Sequence, residues 1–206
     1  MSDDVVSELR RDYILKLLAE GKRVDERKLD EFRNISLSTG VVTKAEGSCR
    51  ALLGKTQVLV GIKMQVGEPY PDRPNEGTIV TNAELVPLAS PTFEPGPPDE
   101  NAIEIARVVD RGVRACAIDL ESLFIEEGKV WSIFIDIHVL DHDGNIVDAS
   151  CLATTAALAT AVIPCEKYGL GENRRLEMKD FPVSITHVLI DDTLLVDPSL
   201  DEERIA

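Results

Sequence analysis

Two long alternations of apolar residues constrain this chain more than any other feature. Val58, Val60, Ile62, Met64 and Val66 fall on one side of an extended segment, with Gln57, Lys63 and Gln65 on the other. Further on, Trp131, Ile133, Ile135, Ile137 and Val139 alternate with Ser132, Phe134, Asp136 and His138 up to an Asp143-Gly144 turn. A period of two lines one face of a strand, not of a helix, so each run needs an apolar layer over its inner side. The whole stretch from Ile35 to Val66 reads as strands of an antiparallel sheet.

Helical patterns supply that layer. From Val5 to Glu20, residues Val6, Leu9, Tyr13 and Leu17 recur at helical spacing, and Gly21 is placed to stop the helix. Asp99 and Glu100 precede a second helix expected to run to about Leu120, with its acids favourably set against the N-terminal dipole. An Ala-rich helix is expected from Ala149 to Ile163, stopped by Pro164, and Ala153, Ala156, Ala157 and Ala161 would let it lie close to a sheet. A hairpin around Asp191-Asp192 closes the chain. The expectation is therefore an α/β (α+β) domain, mixed β-sheets packed with α-helices. At 206 residues the chain can bury one good core, or two small domains sharing one.

Eight of the eleven prolines lie between Pro69 and Pro98. That density breaks regular structure, yet Ile79, Val80, Leu85 and Val86 still fit a strand. Two readings stand: a surface loop that binds, or a strand flanked by prolines that guard a sheet edge.

Composition excludes several functions. A net charge of -15 argues against general adhesion to nucleic acid or anionic membranes, so any RNA contact must be local. Aromatics make up 4%, too few for a base-stacking ladder. Cys49, Cys116, Cys151 and Cys165 form no C-x-x-C pair, which fits a reducing cytosol and calls for neither zinc nor disulfides. The acidic N-terminus and the lack of an 18-residue apolar run imply a soluble cytoplasmic protein without a membrane partner.

Three clusters carry possible chemistry. At 100° per residue, Arg107, Arg111 and Arg114 fall within an arc of about 60°, opposite Ala102, Ala106, Val109, Val113 and Cys116. A planar guanidinium gives phosphate two parallel charge-assisted hydrogen bonds, so arginines one turn apart can hold neighbouring phosphates. Surface salt bridges with Asp110 and Glu104 are the other reading of that face. Asp136, His138, Asp141, His142 and Asp143 are metal-capable, but an i, i+2 pair offers only two ligands and the last residues suit a turn. Asp197, Asp201, Glu202 and Glu203 could pair as carboxylates, or form a solvated acidic end. There is no P-loop, no G-x-S-x-G and no dinucleotide fingerprint, so no cofactor is expected.

The run Gly21-Lys-Arg-Val-Asp-Glu-Arg27, then Asp30, Arg33, Gly47-Ser48 and Gly54-Lys-Thr-Gln-Val58, resembles the opening of an RNase PH domain. Pro87-Leu-Ala-Ser-Pro-Thr-Phe-Glu-Pro-Gly-Pro-Pro98, Glu104-Ile-Ala-Arg-Val-Val-Asp-Arg111 and Ile135-Asp-Ile-His-Val-Leu-Asp-His-Asp-Gly-Asn145 resemble one branch of it, the non-catalytic ring subunit of the archaeal exosome. The resemblance implies a single RNase PH-like domain over residues 1–206 with an N-terminal helix, shortened at its C-terminus. It also implies a hexameric ring of three heterodimers with a catalytic RNase PH-like subunit, joined by RNA-binding cap proteins, degrading single-stranded RNA by 3′-to-5′ phosphorolysis. Active subunits carry Gly-Thr-Arg after the Asp-Gly turn to hold inorganic phosphate; here the stretch is Gly144-Asn145-Ile146-Val147. Ile146 and Val147 have no side-chain donors, so the resemblance implies no catalytic residue in this chain; no metal is expected, since the Asp136–Asp143 cluster lacks further ligands. It sets Asp201 against one of the family's acids. Arg107 and Arg111 match the RNA-binding arginines of this subunit type, with Arg114 on the same helical face.

Overall fold

The computed structural model describes the backbone of residues 3–206 and side chains from Glu8 onward. Its centre is a six-stranded sheet. Strands β1 (Ile35–Thr39), β2 (Gly47–Leu53) and β3 (Thr56–Gly67) form an antiparallel meander, and β4 (Thr78–Leu85) lies at the far edge. The short β5 (Phe124–Glu126) turns back into β6 (Lys129–Asp141), which sits between β3 and β4. β6 runs antiparallel to β3 and parallel to β4. The two period-two runs are thus direct neighbours, with Val60 opposite Ile137 and Ile62 opposite Ile135. Ile133, Ile135 and Ile137 are at most 1% exposed, each such side chain contributing about 1.5–3 kcal/mol of burial.

Helices α2 (Glu100–Gly112) and α3 (Ile146–Ala159) cover one face of this sheet. The small residues expected of α3 serve their purpose: a Cβ on Gly47 of β2 would collide with Ala157 O and Ala161. In the proline-rich segment β4 is an edge strand with prolines on both sides, and the connection after it also lines cavities beside α2. α1 (Asp3–Ala19) lies apart, over the hairpin of β9 (His187–Ile190) and β10 (Thr193–Val196), where Ile14, Leu18, Ile190 and Leu195 form a second small core. A further pair, β7 (Val162–Ile163) and β8 (Arg174–Arg175), follows α3, and a four-residue α4 (Leu200–Glu203) stands near the chain's end.

Several boundaries differ from the sequence expectation. α1 buries Ile14 and Leu18, while Leu9 and Tyr13 are exposed; Val6 lies outside the described side chains. α2 ends at Gly112 and continues as a π-helical turn, Val113–Ala117, after which Ile118 becomes extended and bridges to Met178. α3 begins three residues before Ala149, because Asn145 caps it, and ends before Val162 and Ile163, which pair as a strand. Pro164 therefore follows a strand. All four cysteines are free, and no helix among the described residues is long and apolar enough to cross a membrane.

Candidate functional site

Asp99 caps α2 by accepting the Ala102 amide at 2.8 Å, and Ala102, Ile105, Ala106 and Val109 seat the helix on the sheet. That leaves Arg107 and Arg111 one turn apart and exposed. With Glu100, Ile103, Glu104 and Val108 they line a shallow depression of about 380 Å³. Among the described residues neither arginine has an ion-pair or hydrogen-bond partner, so both guanidinium forks are available to a ligand.

Arg114 behaves differently, and the salt-bridge alternative holds for it. Its Nε donates to Asp110 at 2.7 Å, and Nη2 donates to the Ile79 carbonyl on β4. Arg114 stays exposed, one turn after Asp110 and within the π-helical turn that follows Gly112, and its guanidinium is already engaged. Asp110 also accepts from Thr81 at 3.1 Å, which ties Arg114 to the sheet edge.

The Asp143-Gly144 turn leads into α3 and is sealed by the chain's own acids. Asn145 takes a left-handed backbone, φ 53°, and its side chain is 1% exposed. Its amide N–H donates to Glu203 Oε1 at 2.7 Å, and its Nδ2 donates to Asp197 Oδ1 at 2.7 Å and Asp148 Oδ2 at 2.8 Å. Gly144 has φ +89°, and a Cβ there would strike Leu200 N and the Ser199 carbonyl carbon. Only glycine allows the turn and the 198–200 segment to approach so closely.

Two of the four acids near the end are buried rather than solvated. Asp197 is 0% and Glu202 2% exposed. Arg23 grips Glu202 through Nε at 2.9 Å and Nη2 at 2.6 Å, while Arg27 and Arg33 both reach Asp197. These arginines come from the opening motif, so the motif's charge closes the domain rather than facing solvent. Asp201, the acid singled out from sequence, pairs with exposed Arg10 at 2.6 Å and stays at the surface. Burial pushes the Asp197 carboxyl up, but hydrogen bonds from the Arg33 side chain and backbone and from Asn145 more than offset it, leaving it below its ordinary value. Glu203 goes the other way: burial dominates and holds its carboxyl above the usual range, against the Asn145 hydrogen bond and the Arg33 charge.

The metal-capable cluster does not converge. His138 Nδ1 sits 3.1 Å from Glu84 Oε2, whereas His142 stacks on Phe93 with ring centroids 5.4 Å apart. Among the described residues no group of three or more His, Cys, Asp or Glu is arranged to hold a metal ion. Burial, with Arg204 and Arg33 nearby, holds the His142 imidazole below its ordinary value.

A helix-backed mixed sheet, with an Asp-Gly turn feeding the capping residue of an Ala-rich helix, is the frame that holds these residues. Domain 1 of the 3′ exoribonuclease family, RNase PH, matches residues 31–164, and domain 2 matches residues 180–206. The chain belongs to that family. It is 59% identical to the exosome complex component Rrp42 of Methanocella arvoryzae, over 100% of this chain and 80% of that protein. A chain of the Archaeoglobus fulgidus exosome with RNA bound to the active site superimposes with a TM-score of 0.96 at 55% identity, covering 98% of this chain and 80% of that one. A chain of an archaeal exosome core gives a TM-score of 0.92 at 50% identity, covering 100% and 80%.

Proposed function

We propose that this chain is a non-catalytic subunit of a hexameric exosome ring, one that holds single-stranded RNA beside the active site of a catalytic RNase PH-like partner. Arg107 and Arg111 grip neighbouring phosphates, and Arg114 braces the helix that presents them. The partner contributes the phosphate pocket and the acid for 3′-to-5′ phosphorolysis, and RNA-binding cap proteins complete the assembly in the cytoplasm. Residues 1–206 act as a single RNase PH-like unit, since Arg23, Arg27 and Arg33 clamp its opening motif to Asp197 and Glu202.

The observation that carries the non-catalytic reading is the filled turn. Where phosphate would have to sit, the Asn145 amide already binds Glu203, its side chain binds Asp148 and Asp197, and Ile146 is 8% exposed and apolar. An incoming phosphate would meet the Glu203, Asp148 and Asp197 carboxylates, while the Arg33 guanidinium at the turn is already taken up by Asp197 and the Asp143 and Gly144 carbonyls. Positioning supplies most of the catalysis in phosphoryl transfer. The RNA half of the proposal draws on the unpaired forks of Arg107 and Arg111 and on the near-complete superposition with a chain of an RNA-bound exosome.

The test is a phosphorolysis assay on single-stranded RNA with inorganic phosphate, using the full-length protein alone and with its catalytic partner. Diphosphate release is expected only with the partner; robust release by the protein alone overturns the proposal. Replacing Arg107 and Arg111 with Glu is expected to weaken RNA binding and turnover by the assembled ring, and unchanged values would leave the chain a structural spacer.

A further inference from the structure

A second cavity lies around the corner of α2 from the two arginines. It has a volume of about 470 Å³, enough for a base and its ribose. Its distinctive lining is Phe93, His142, Asn101, Glu104, Glu203 and Arg204, over apolar walls that include Ile146 and Val147. Phe93, on the proline-rich connection, and His142, at the end of β6, stack nearly parallel with an interplanar angle of 16°. The Ala89 carbonyl holds the loop to this position by accepting the His142 amide at 3.2 Å.

The chemistry of these walls selects among ligands. Glu104 and Glu203 outnumber the single cation Arg204, so a phosphate group is disfavoured inside. An uncharged, flat group that donates hydrogen bonds fits instead. The aromatic pair offers a π surface for a third ring, and His142 favours the neutral imidazole that stacks without bringing charge. Glu203 uses Oε1 on the Asn145 amide, while among the described residues Oε2 has no hydrogen-bond partner. Glu104 lines both this cavity and the depression that holds Arg107 and Arg111, so a strand held on the arginines has a base within reach of the stack.

We infer that the cavity is a nucleobase subsite, in which a base with an exocyclic amino group stacks on the Phe93–His142 pair and donates that amino group to Glu203 Oε2. This subsite presupposes the RNA reading above and adds base selection to it. Adenine and cytosine present an amino group on the Watson–Crick edge at that place, where uracil has a carbonyl.

Saturation-transfer NMR and titration of the full-length protein with 5′-AMP and 5′-UMP test the inference. AMP is expected to bind about five-fold tighter than UMP, the worth of one net hydrogen bond, with saturation strongest on the adenine ring protons. Phe93→Leu keeps apolar volume but removes the stacking partner, so both nucleotides should weaken. Glu203→Gln, whose amide can also donate to a uracil carbonyl, should erase the AMP preference. Equal binding of AMP and UMP to the native protein, no binding of either, or a Phe93→Leu variant that binds as before would each overturn the subsite. The Arg107→Glu/Arg111→Glu variant separates the two claims. It should keep AMP binding while losing longer RNA, so unaltered RNA binding there sinks the phosphate grip without touching the base subsite.

Discussion

Arg33 holds Asp197 with two parallel hydrogen bonds, Nε to Oδ2 at 3.0 Å and Nη2 to Oδ1 at 2.7 Å, across a sequence separation of 164 residues. Its Nη1 donates to the Asp143 carbonyl at 2.6 Å, so one guanidinium joins the opening motif, the turn before α3 and the segment after the last hairpin. Asp197 also takes Arg27 Nη1 at 3.0 Å and the Arg33 amide at 2.8 Å. Removing one partner leaves the others as buried, uncompensated charge.

Asp197→Ala is therefore expected to cost about 3–5 kcal/mol, read as a lower urea midpoint with unchanged m-value. Its pH dependence has a definite sign. The folded pKa is depressed, so the stabilisation is present above the ordinary carboxylate value and is lost as pH falls through the lower folded one. Acid unfolding of the native protein should show this loss, and the alanine variant should lack that share of it.

Arg107, Arg111 and Arg114 should separate in a salt titration of RNA binding by the assembled ring. Each phosphate contact on a single strand contributes about 0.7 to the slope of log K against log salt. Arg107→Ala and Arg111→Ala should each reduce the slope by about that amount. Arg114→Ala should leave it unchanged and instead lower the melting temperature slightly, since it loses the Asp110 pair and the Ile79 carbonyl contact. An equal slope change for all three would mean that Arg114 leaves Asp110 to bind RNA.

The same contrast shows what the sequence made legible. The strands around Val60 and Ile135 were readable because side-chain alternation is local, and the exposure of Arg107 and Arg111 followed from helical geometry as far as Gly112. For Arg114 the spacing leaves phosphate contact and an Asp110 pair both open, and only the folded helix shows its Nε on Asp110. The acidic end was misread because Glu202 looks like a solvated carboxylate until Arg23, 179 residues away, folds onto it. Long-range ion pairs carry no periodic signal. The filled turn was half legible, since the lack of a basic residue after Gly144 is visible in sequence while the Glu203 carboxylate on the Asn145 amide is not.

Glu203 offers a test of that turn by stability alone. Burial raises its folded pKa, so its favourable share is complete below the ordinary glutamate value and is lost as pH rises through the folded value. Glu203→Gln keeps an oxygen for the Asn145 amide and carries no charge. It should melt above the native protein at pH 8, with the gap closing toward pH 4. A melting temperature lower than the native at pH 8, with that deficit closing toward pH 4, would show that the charge, rather than the acceptor oxygen, holds α4 to the turn.

The strongest expectation for the chain on its own is self-association. Phe181, Val183, Ile185 and Leu189 recur at every second or fourth position and are 64%, 72%, 53% and 61% exposed. This stripe continues onto Leu194, which pairs with Leu189 across the β9–β10 hairpin and is 57% exposed. β1 is also an edge strand, exposed along all five residues, including Ile35 and Leu37 at 44% each. An apolar stripe and an unprotected edge are surfaces that soluble monomers avoid. Light scattering should give a mass that rises with concentration for the chain alone and settles to a single value once the catalytic partner is added. Leu37→Pro, whose amide lies at a non-hydrogen-bonded pair and so faces the free edge, and Val183→Lys, which breaks the stripe, should each lower the mass of the lone chain. If only Val183→Lys does so, the stripe near the last hairpin is the adhesive surface and the β1 edge is not. A lone chain that stays monomeric at high concentration would mean that neither surface is sticky enough to need a partner.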